Sequence, residues 1–463
     1  MSKTSNLVKN TLMLSIGTAL SKGIQFILVI FVSRWLSTEI YGTFDVLCTY
    51  ITLLLPILSI STGEAVFRFS VSSKTQKEQS GYITNGFVLV TCNLIICIGV
   101  LAVLSGVKLL SAKLVLQFLF LLGTQLFNYY LQAFLRAIKR LNIYTISNII
   151  SAFMIAFCSV LFIRVLQFRM DGLIYAYSIG YMVANLLIIF SARLWNYITL
   201  KTISRKIVKQ LVHYSLPLVP NDISWWILNV SDRQVISIAL GAAANGIYAI
   251  ANKLPALCNS IFGMFSVSWQ QSMAEKIEME NWQEYANQVY NQMTVVLLTL
   301  CSGILSVTFI FFNYMFDIKY YSGMVYVPIL LTATIFSSWM LFFGGVQIAL
   351  KKTSENGVTT VIGAIINLII NIALIHFIGL YAAAISTLVA NIITAVLRRH
   401  RLKWFVRFWS DSKTRSCWII YGYFIVSFYF FQEYIVLEWI NILLAGIAFI
   451  AVNHQFLQAF FRR

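Results

Sequence analysis

Between Glu78 and Lys108 the chain carries no charged residue. Predominantly apolar stretches of about twenty residues recur along the whole sequence, each long enough for a helix to cross the hydrocarbon of a bilayer. Fourteen such spans are expected, at 8–33, 41–66, 80–106, 112–135, 141–166, 172–194, 212–240, 245–271, 286–314, 322–350, 355–378, 379–398, 417–432 and 436–454. The last two are the shortest, and twelve spans is the alternative. Composition agrees: 59% of the 463 residues are hydrophobic and 11% charged, where a soluble domain carries roughly a quarter charged residues. The surplus apolar surface needs lipid as its solvent, so the fold class is an all-α polytopic membrane protein. The basic start "MSKTSNLVKN" runs into a spanning-length apolar segment with no small-x-small cleavage pattern, which reads as a retained first helix.

Basic residues in the connecting segments set the orientation. With both termini on one side, that side collects 25 of the 34 Lys and Arg residues and the other only 6, with Lys22, Arg233 and Lys253 inside spans. Both termini are therefore expected in the cytoplasm. The net charge of +18 tracks this topology and anionic lipid heads, so no nucleic-acid partner is expected. Seven cysteines sit singly in or beside apolar runs, and four histidines lie far apart. Neither pattern suggests a disulfide framework, a metal site or a cofactor.

Near residue 200 the text becomes basic and amphipathic, "RLWNYITLKTISRKIVKQLVHY", as in a helix lying on the membrane surface. The expected organisation is an N-lobe at 1–194, a linker helix at 195–211, a C-lobe at 212–402, and a basic loop with two further helices at 403–463. The lobes share text. "IYGTFDVL" aligns with "NGIYAIAN" when Gly42 is set on Gly246, and "YAYSIGYMVAN" (175–185) aligns with "YAAAISTLVAN" (381–391). "RAIKR" and "IALKK" each close the fourth helix of their lobe. Three matches in one order at nearly constant offset indicate an internal repeat. Six helices per repeat give both lobes the same orientation, with a central cleft expected between them.

Charges inside spans usually face the protein interior and often mark a substrate path. Arg233 lies seven residues before the outer end of its span, and Lys253 eight residues after the start of the next. Both therefore sit roughly 10–12 Å below the outer surface. Neighbouring residues on a helix point about 100° apart, so Asp232 can neutralise Lys253 while Arg233 faces the cleft. A surplus of cations at this depth suits an anionic ligand, because a guanidinium grips phosphate oxygens bidentately. Trp226 and Asn229 supply ring face and amide for sugar, Lys22 is a further cavity candidate, and Glu64 with Arg68 forms an i,i+4 pair expected at a cytoplasmic gate. Asn367 and Asn371 share a helix face and are expected to hydrogen-bond to a neighbouring helix.

"GTALSKGIQFILVIFVSRWLSTEIYGTFDVLCTYITLLLPILSISTGEAVFRFS", "WWILNVSDRQVISIALGAAANGIYAIANKLPAL" and "KKTSENG…NLIIN…GLYAAAISTLVANI" together resemble bacterial polysaccharide-transport proteins, the Wzx-type flippases. The resemblance runs from about residue 7 to 400. It implies the superfamily of multidrug, oligosaccharidyl-lipid and polysaccharide exporters, with two pseudo-symmetric six-helix lobes in a V and two C-terminal helices. It also implies a non-enzymatic function: alternating-access transfer of undecaprenyl-pyrophosphate-linked oligosaccharide for surface-polysaccharide synthesis. Asp232 and Arg233 match the family's seventh-helix pair and Lys253 its eighth-helix region; Lys22 falls where the family varies. Implied partners are the lipid-linked oligosaccharide, membrane lipid, a coupling H+ or Na+, and polymerase machinery. The alternatives are a lipid II or teichoic-acid precursor flippase and an ion-coupled multidrug exporter. A membrane polymerase or glycosyltransferase is disfavoured because the outer loops are only about 4–10 residues, and the longest aqueous segments, expected in the cytoplasm, lack a plausible pair of catalytic carboxylates.

Overall fold

The computed structural model describes residues 3–108, 111–431 and 435–461, and these form helices and turns with no strand. Arg462 and Arg463, counted above among the cytoplasmic cations, lie outside the described residues. The chain divides into two compact units, residues 1–226 and 227–463.

The first unit holds α1 (Lys3–Trp35), α2 (Thr38–Ser59), α3 (Thr62–Ser72), α4 (Gln76–Gly106), α5 (Ala112–Ala137), α6 (Leu141–Ser159), α7 (Arg169–Ala192) and α8 (Arg205–Ser215); the unit boundary falls inside α9 (Leu218–Val230). Short polar side chains start several of these helices. Ser37, Thr75 and Ser111 each accept a hydrogen bond from an otherwise free N–H of the first turn, as N-caps do. Residues 41–66, expected as one span, are divided between α2 and α3. Pro56 removes a ladder donor, and Ile60 and Ser61 then adopt left-handed conformations at φ 51° and 47°. The core is an apolar seam along α5, where Leu126, Tyr130 and Phe134 pack against Ile83 and Val90 of α4 and Ile188 of α7. Leu211 of α8 docks on the same seam while Arg205, Lys206 and Lys209 stay exposed.

The second unit holds α10 (Asp232–Leu240), α11 (Ala242–Ala251), α12 (Lys253–Lys276), α13 (Trp282–Ile310), α14 (Val327–Ala349), α15 (Thr353–Ile378), α16 (Leu380–Leu402), α17 (Ser412–Phe431) and α18 (Ile435–Phe461). Its core is aromatic: Trp269 of α12 stacks on Phe342 of α14 with centroids 4.4 Å apart, and Tyr290 of α13 packs on Phe343 at 5.8 Å.

Eleven helices among the described residues are long and apolar enough to cross a membrane, against the fourteen expected. The spans at 212–240, 245–271 and 417–432 make the difference. The first is interrupted at Ser231, which leaves α9 with 13 residues and α10 with 9. Gly241, at φ 89°, then separates α10 from the 10-residue α11. Each piece is shorter than the roughly 20 residues a crossing needs. α12 is long enough but carries Lys253, Gln270, Gln271, Glu275 and Lys276, and the 417–432 span runs into residues 432–434, outside the description.

Matching text in the two units does matching work. In the shared V-A-N ending, Asn185 of α7 donates to the Thr124 carbonyl of α5 (2.9 Å), and Asn391 of α16 donates to the Ala333 carbonyl of α14 (3.1 Å). "RAIKR" and "IALKK" both end their helix in a Schellman motif. Lys139 and Lys351 are left-handed at φ 60° and 61°. The next amide bonds back five residues, Arg140 to Leu135 at 3.0 Å and Lys352 to Gln347 at 2.8 Å. Small residues also let helices close up, as membrane bundles require. A Cβ on Gly180 of α7 would come within 3.1 Å of both Ile155 N and Ser151 O on α6. Gly180→Ala is therefore expected to lower stability by about 1–3 kcal/mol through overpacking, read as a lower thermal midpoint in detergent; an unchanged midpoint would mean that α6 yields freely.

Candidate functional site

Asp232 opens α10, and its first-turn position favours a carboxylate. Its side chain is 4% exposed, a costly place for a charge unless hydrogen bonds replace the lost water. Three neutral donors from three other helices do so. Asn371 of α15 donates to Oδ1 at 3.1 Å, while Thr387 of α16 and Tyr248 of α11 donate to Oδ2 at 2.5 and 3.2 Å. Asn367, one turn from Asn371, donates to the Thr387 hydroxyl at 3.2 Å. The "NLIIN" face thus hydrogen-bonds to neighbouring helices as the spacing suggests, one asparagine directly to the acid and one to its partner. Arg233 follows Asp232 and is half-buried, as are Asn229 on α9 and Lys253 at the start of α12.

In the first unit the remaining candidates separate. Lys22 of α1 is exposed. Trp226 is half-buried, and its indole N–H donates to the Thr49 carbonyl at 3.0 Å and the Thr52 hydroxyl at 3.2 Å, both on α2. Glu64 takes its ion pair from Arg136 of α5, at 2.6 Å, rather than from Arg68, the partner the i,i+4 spacing suggests. Arg68 is exposed, and the pull of a fixed cation on another helix outweighs the few tenths of a kcal/mol that a surface i,i+4 pair offers. Beside this pair, Ser61 in the left-handed elbow donates to Asp222 of α9 at 2.7 Å. Two adjacent left-handed non-glycine residues cost about 1–2 kcal/mol each, and strain of this kind concentrates at functional positions.

Sequence reasoning missed Arg398. It was counted with the connecting-segment cations, yet it lies within α16 and is 1% exposed. Its guanidinium donates to Thr359 Oγ1 (3.0 Å), Met340 O (2.7 Å), Asn356 O (3.2 Å) and Thr360 Oγ1 (2.8 Å). All are neutral acceptors on α14 and α15; the nearby Glu355 pairs instead with Lys352 at 3.0 Å. Its place directly before the run "RHRLK" disguised it as a loop cation. Removing it from the charge count leaves the orientation argument intact.

Among the described residues no group of three or more His, Cys, Asp or Glu is placed to hold a metal, and the seven cysteines are free. What the second unit presents is a buried acid hydrogen-bonded to three other helices with an arginine beside it. That arrangement can hold a fixed charge inside the unit.

The family described as "Polysaccharide biosynthesis protein" matches residues 7–270 of the chain. No curated protein matches it. Solved structures do share its fold. One is an inward-facing multidrug resistance MATE family transporter of the MOP superfamily (TM-score 0.65, 14% identity, 84% of this chain and 95% of that one). A second is a MATE protein in complex with MaL6 (TM-score 0.63, 16% identity, 86% and 96%). A third is a MOP superfamily transporter from Pyrococcus furiosus Vc1, described as having a binding pocket of reverse polarity that suggests a different function (TM-score 0.58, 16% identity, 85% and 96%).

Proposed function

We propose, for a chain that belongs to the polysaccharide biosynthesis protein family and folds as a multi-pass membrane protein of the MATE type, that it is a flippase for polyprenyl-pyrophosphate-linked oligosaccharide. The membrane is a bacterial plasma membrane with both termini on the cytoplasmic side. The observation that carries this reading is the family match itself, which covers more than half of the chain. Two half-buried cations of the second unit support it: Arg233 beside Asp232 and Lys253 at the start of α12, groups suited to an anionic cargo.

The step is a translocation in which no bond of the cargo breaks. Alternating access would expose a cationic surface first to the cytoplasm and then to the outside, while the polyprenyl tail stays in lipid. Arg233 would meet the pyrophosphate, because a guanidinium matches phosphate oxygens in two parallel hydrogen bonds. Asp232, held by three neutral donors, would fix the start of α10 and so the direction in which Arg233 points.

In cells lacking the gene, lipid-linked oligosaccharide should build up in the cytoplasmic leaflet and surface glycan should disappear. No build-up and normal surface glycan would overturn the reading. Arg233→Ala should abolish export at normal protein level; retained export would make Arg233 a structural residue.

A further inference from the structure

α13 and the π turn that continues it run from Trp282 to Met315, 34 residues, or about 51 Å against a hydrocarbon core of roughly 30 Å. The overhang is its polar beginning, "WQEYANQVYNQM" (282–293), since the apolar run starts at Thr294. The helix therefore places this stretch at the level of the lipid headgroups.

An open cavity of about 460 Å³ lies along that stretch, lined also by Trp409, Asp411 and Lys413 and by Asn453 near the end of α18. The volume is that of a small-ligand site, roughly 300–1,000 Å³, and eight of the ten lining residues carry a carboxamide, carboxylate or ammonium group. Two asparagines one turn apart brace it. Asn287 accepts from the Trp409 amide at 3.0 Å, and Asn291 donates to the Trp409 carbonyl at 3.0 Å. Asn291 also accepts from the Asp411 amide (3.0 Å) and the Thr414 hydroxyl (2.8 Å). The segment is thereby pinned to α13, and Trp409 is left 57% exposed. Gln288, Gln292 and Glu284 on α13 and Lys413 opposite are exposed along the cavity.

We propose that this groove binds carbohydrate: the saccharide head of a lipid-linked oligosaccharide before transfer, on the side of the membrane that carries both termini. The chemistry is that of sugar recognition. A hydroxyl both donates and accepts, as carboxamides do, with carboxylates and an ammonium completing the set, while a tryptophan offers a ring face to the sugar's C–H surface. Headgroup depth is where a saccharide tethered to a membrane lipid resides. The inference rests on the flippase reading.

The test uses the full-length protein in nanodiscs made of phosphatidylglycerol, with repeat-unit oligosaccharide released by mild acid from the producing cells' own surface polysaccharide. Saturable binding is expected. The double variant Gln288→Ala/Gln292→Ala, whose side chains are exposed and leave the asparagine brace intact, should weaken it at least about tenfold, the worth of two net hydrogen bonds. Trp409→Ala should weaken it as well, and Lys108→Ala, on the first unit, should not. Unchanged affinity in the double variant would overturn the proposal. So would loss of the oligosaccharide signal on adding phosphatidylethanolamine to the nanodiscs, which would mark a zwitterionic headgroup site. If the wild-type protein binds no oligosaccharide while gene deletion still abolishes surface glycan, the groove assignment fails and the flippase reading stands. Normal surface glycan after deletion would instead remove the reading beneath it.

Discussion

Asp232→Ala should unfold its unit early, while Asp232→Asn should not. Alanine leaves the buried donors of Asn371, Thr387 and Tyr248 without an acceptor, at about 1–3 kcal/mol each. For a unit of this size a loss of about 3–9 kcal/mol lowers the thermal midpoint by on the order of 10 °C or more. Asparagine is nearly isosteric and can be satisfied at the same place. Its carbonyl keeps the Asn371 bond, and its NH2 group faces the Thr387 and Tyr248 hydroxyls, which can turn from donor to acceptor. The expected cost is about one hydrogen bond, roughly 1 kcal/mol. The pair therefore separates structure from charge. If Asp232→Asn is stable by size-exclusion thermal shift but loses export, the negative charge itself is used in transport. If it is stable and exports normally, Asp232 serves only to position its neighbours.

Arg398 offers the second large effect, with a different signature. Arg398→Ala removes the largest fully buried side chain among the described residues and should cost about 3–5 kcal/mol, as other large-to-small core changes do. Arg398→Met keeps most of the volume. The groups it frees keep other bonds: the Asn356 carbonyl still accepts from the Thr359 and Thr360 hydroxyls, and Thr359 also donates to Glu355 O. Exchanging a buried charge for an apolar side chain of similar volume is often close to neutral, so methionine should cost no more than about 2 kcal/mol. Equal loss in the two variants, measured as thermal midpoints, would show that the hydrogen bonds and not the volume hold α14, α15 and α16 together at this point.

The fold was legible wherever a property acts residue by residue. The uncharged run from 79 to 107 meets lipid one side chain at a time, so α4 could be read without knowing its neighbours. The internal repeat was legible in V-A-N and in the two basic helix ends because each unit uses those residues for the same local bond. Partner choice was another matter. Glu64 stands four residues from Arg68, yet the closure of α3 on α5 gives it to Arg136, 72 residues on. Arg398 looked like one more loop cation because burial of α16 is decided by α14 and α15, not by the text around residue 398.

By itself, then, the sequence determined that this chain is a helical membrane protein whose two halves share text, with an acid–arginine pair in apolar surroundings, because hydropathy and helix periodicity are local. Only the tertiary structure decided where helices break, at Ile60–Ser61, Ser231 and Gly241, and which donors hold Asp232. It alone brought Gln288, Trp409 and Asn453 around one cavity. Those outcomes depend on which helices pack together, and hydrogen-bond partners 70 to 155 residues apart leave no local trace in the order of residues.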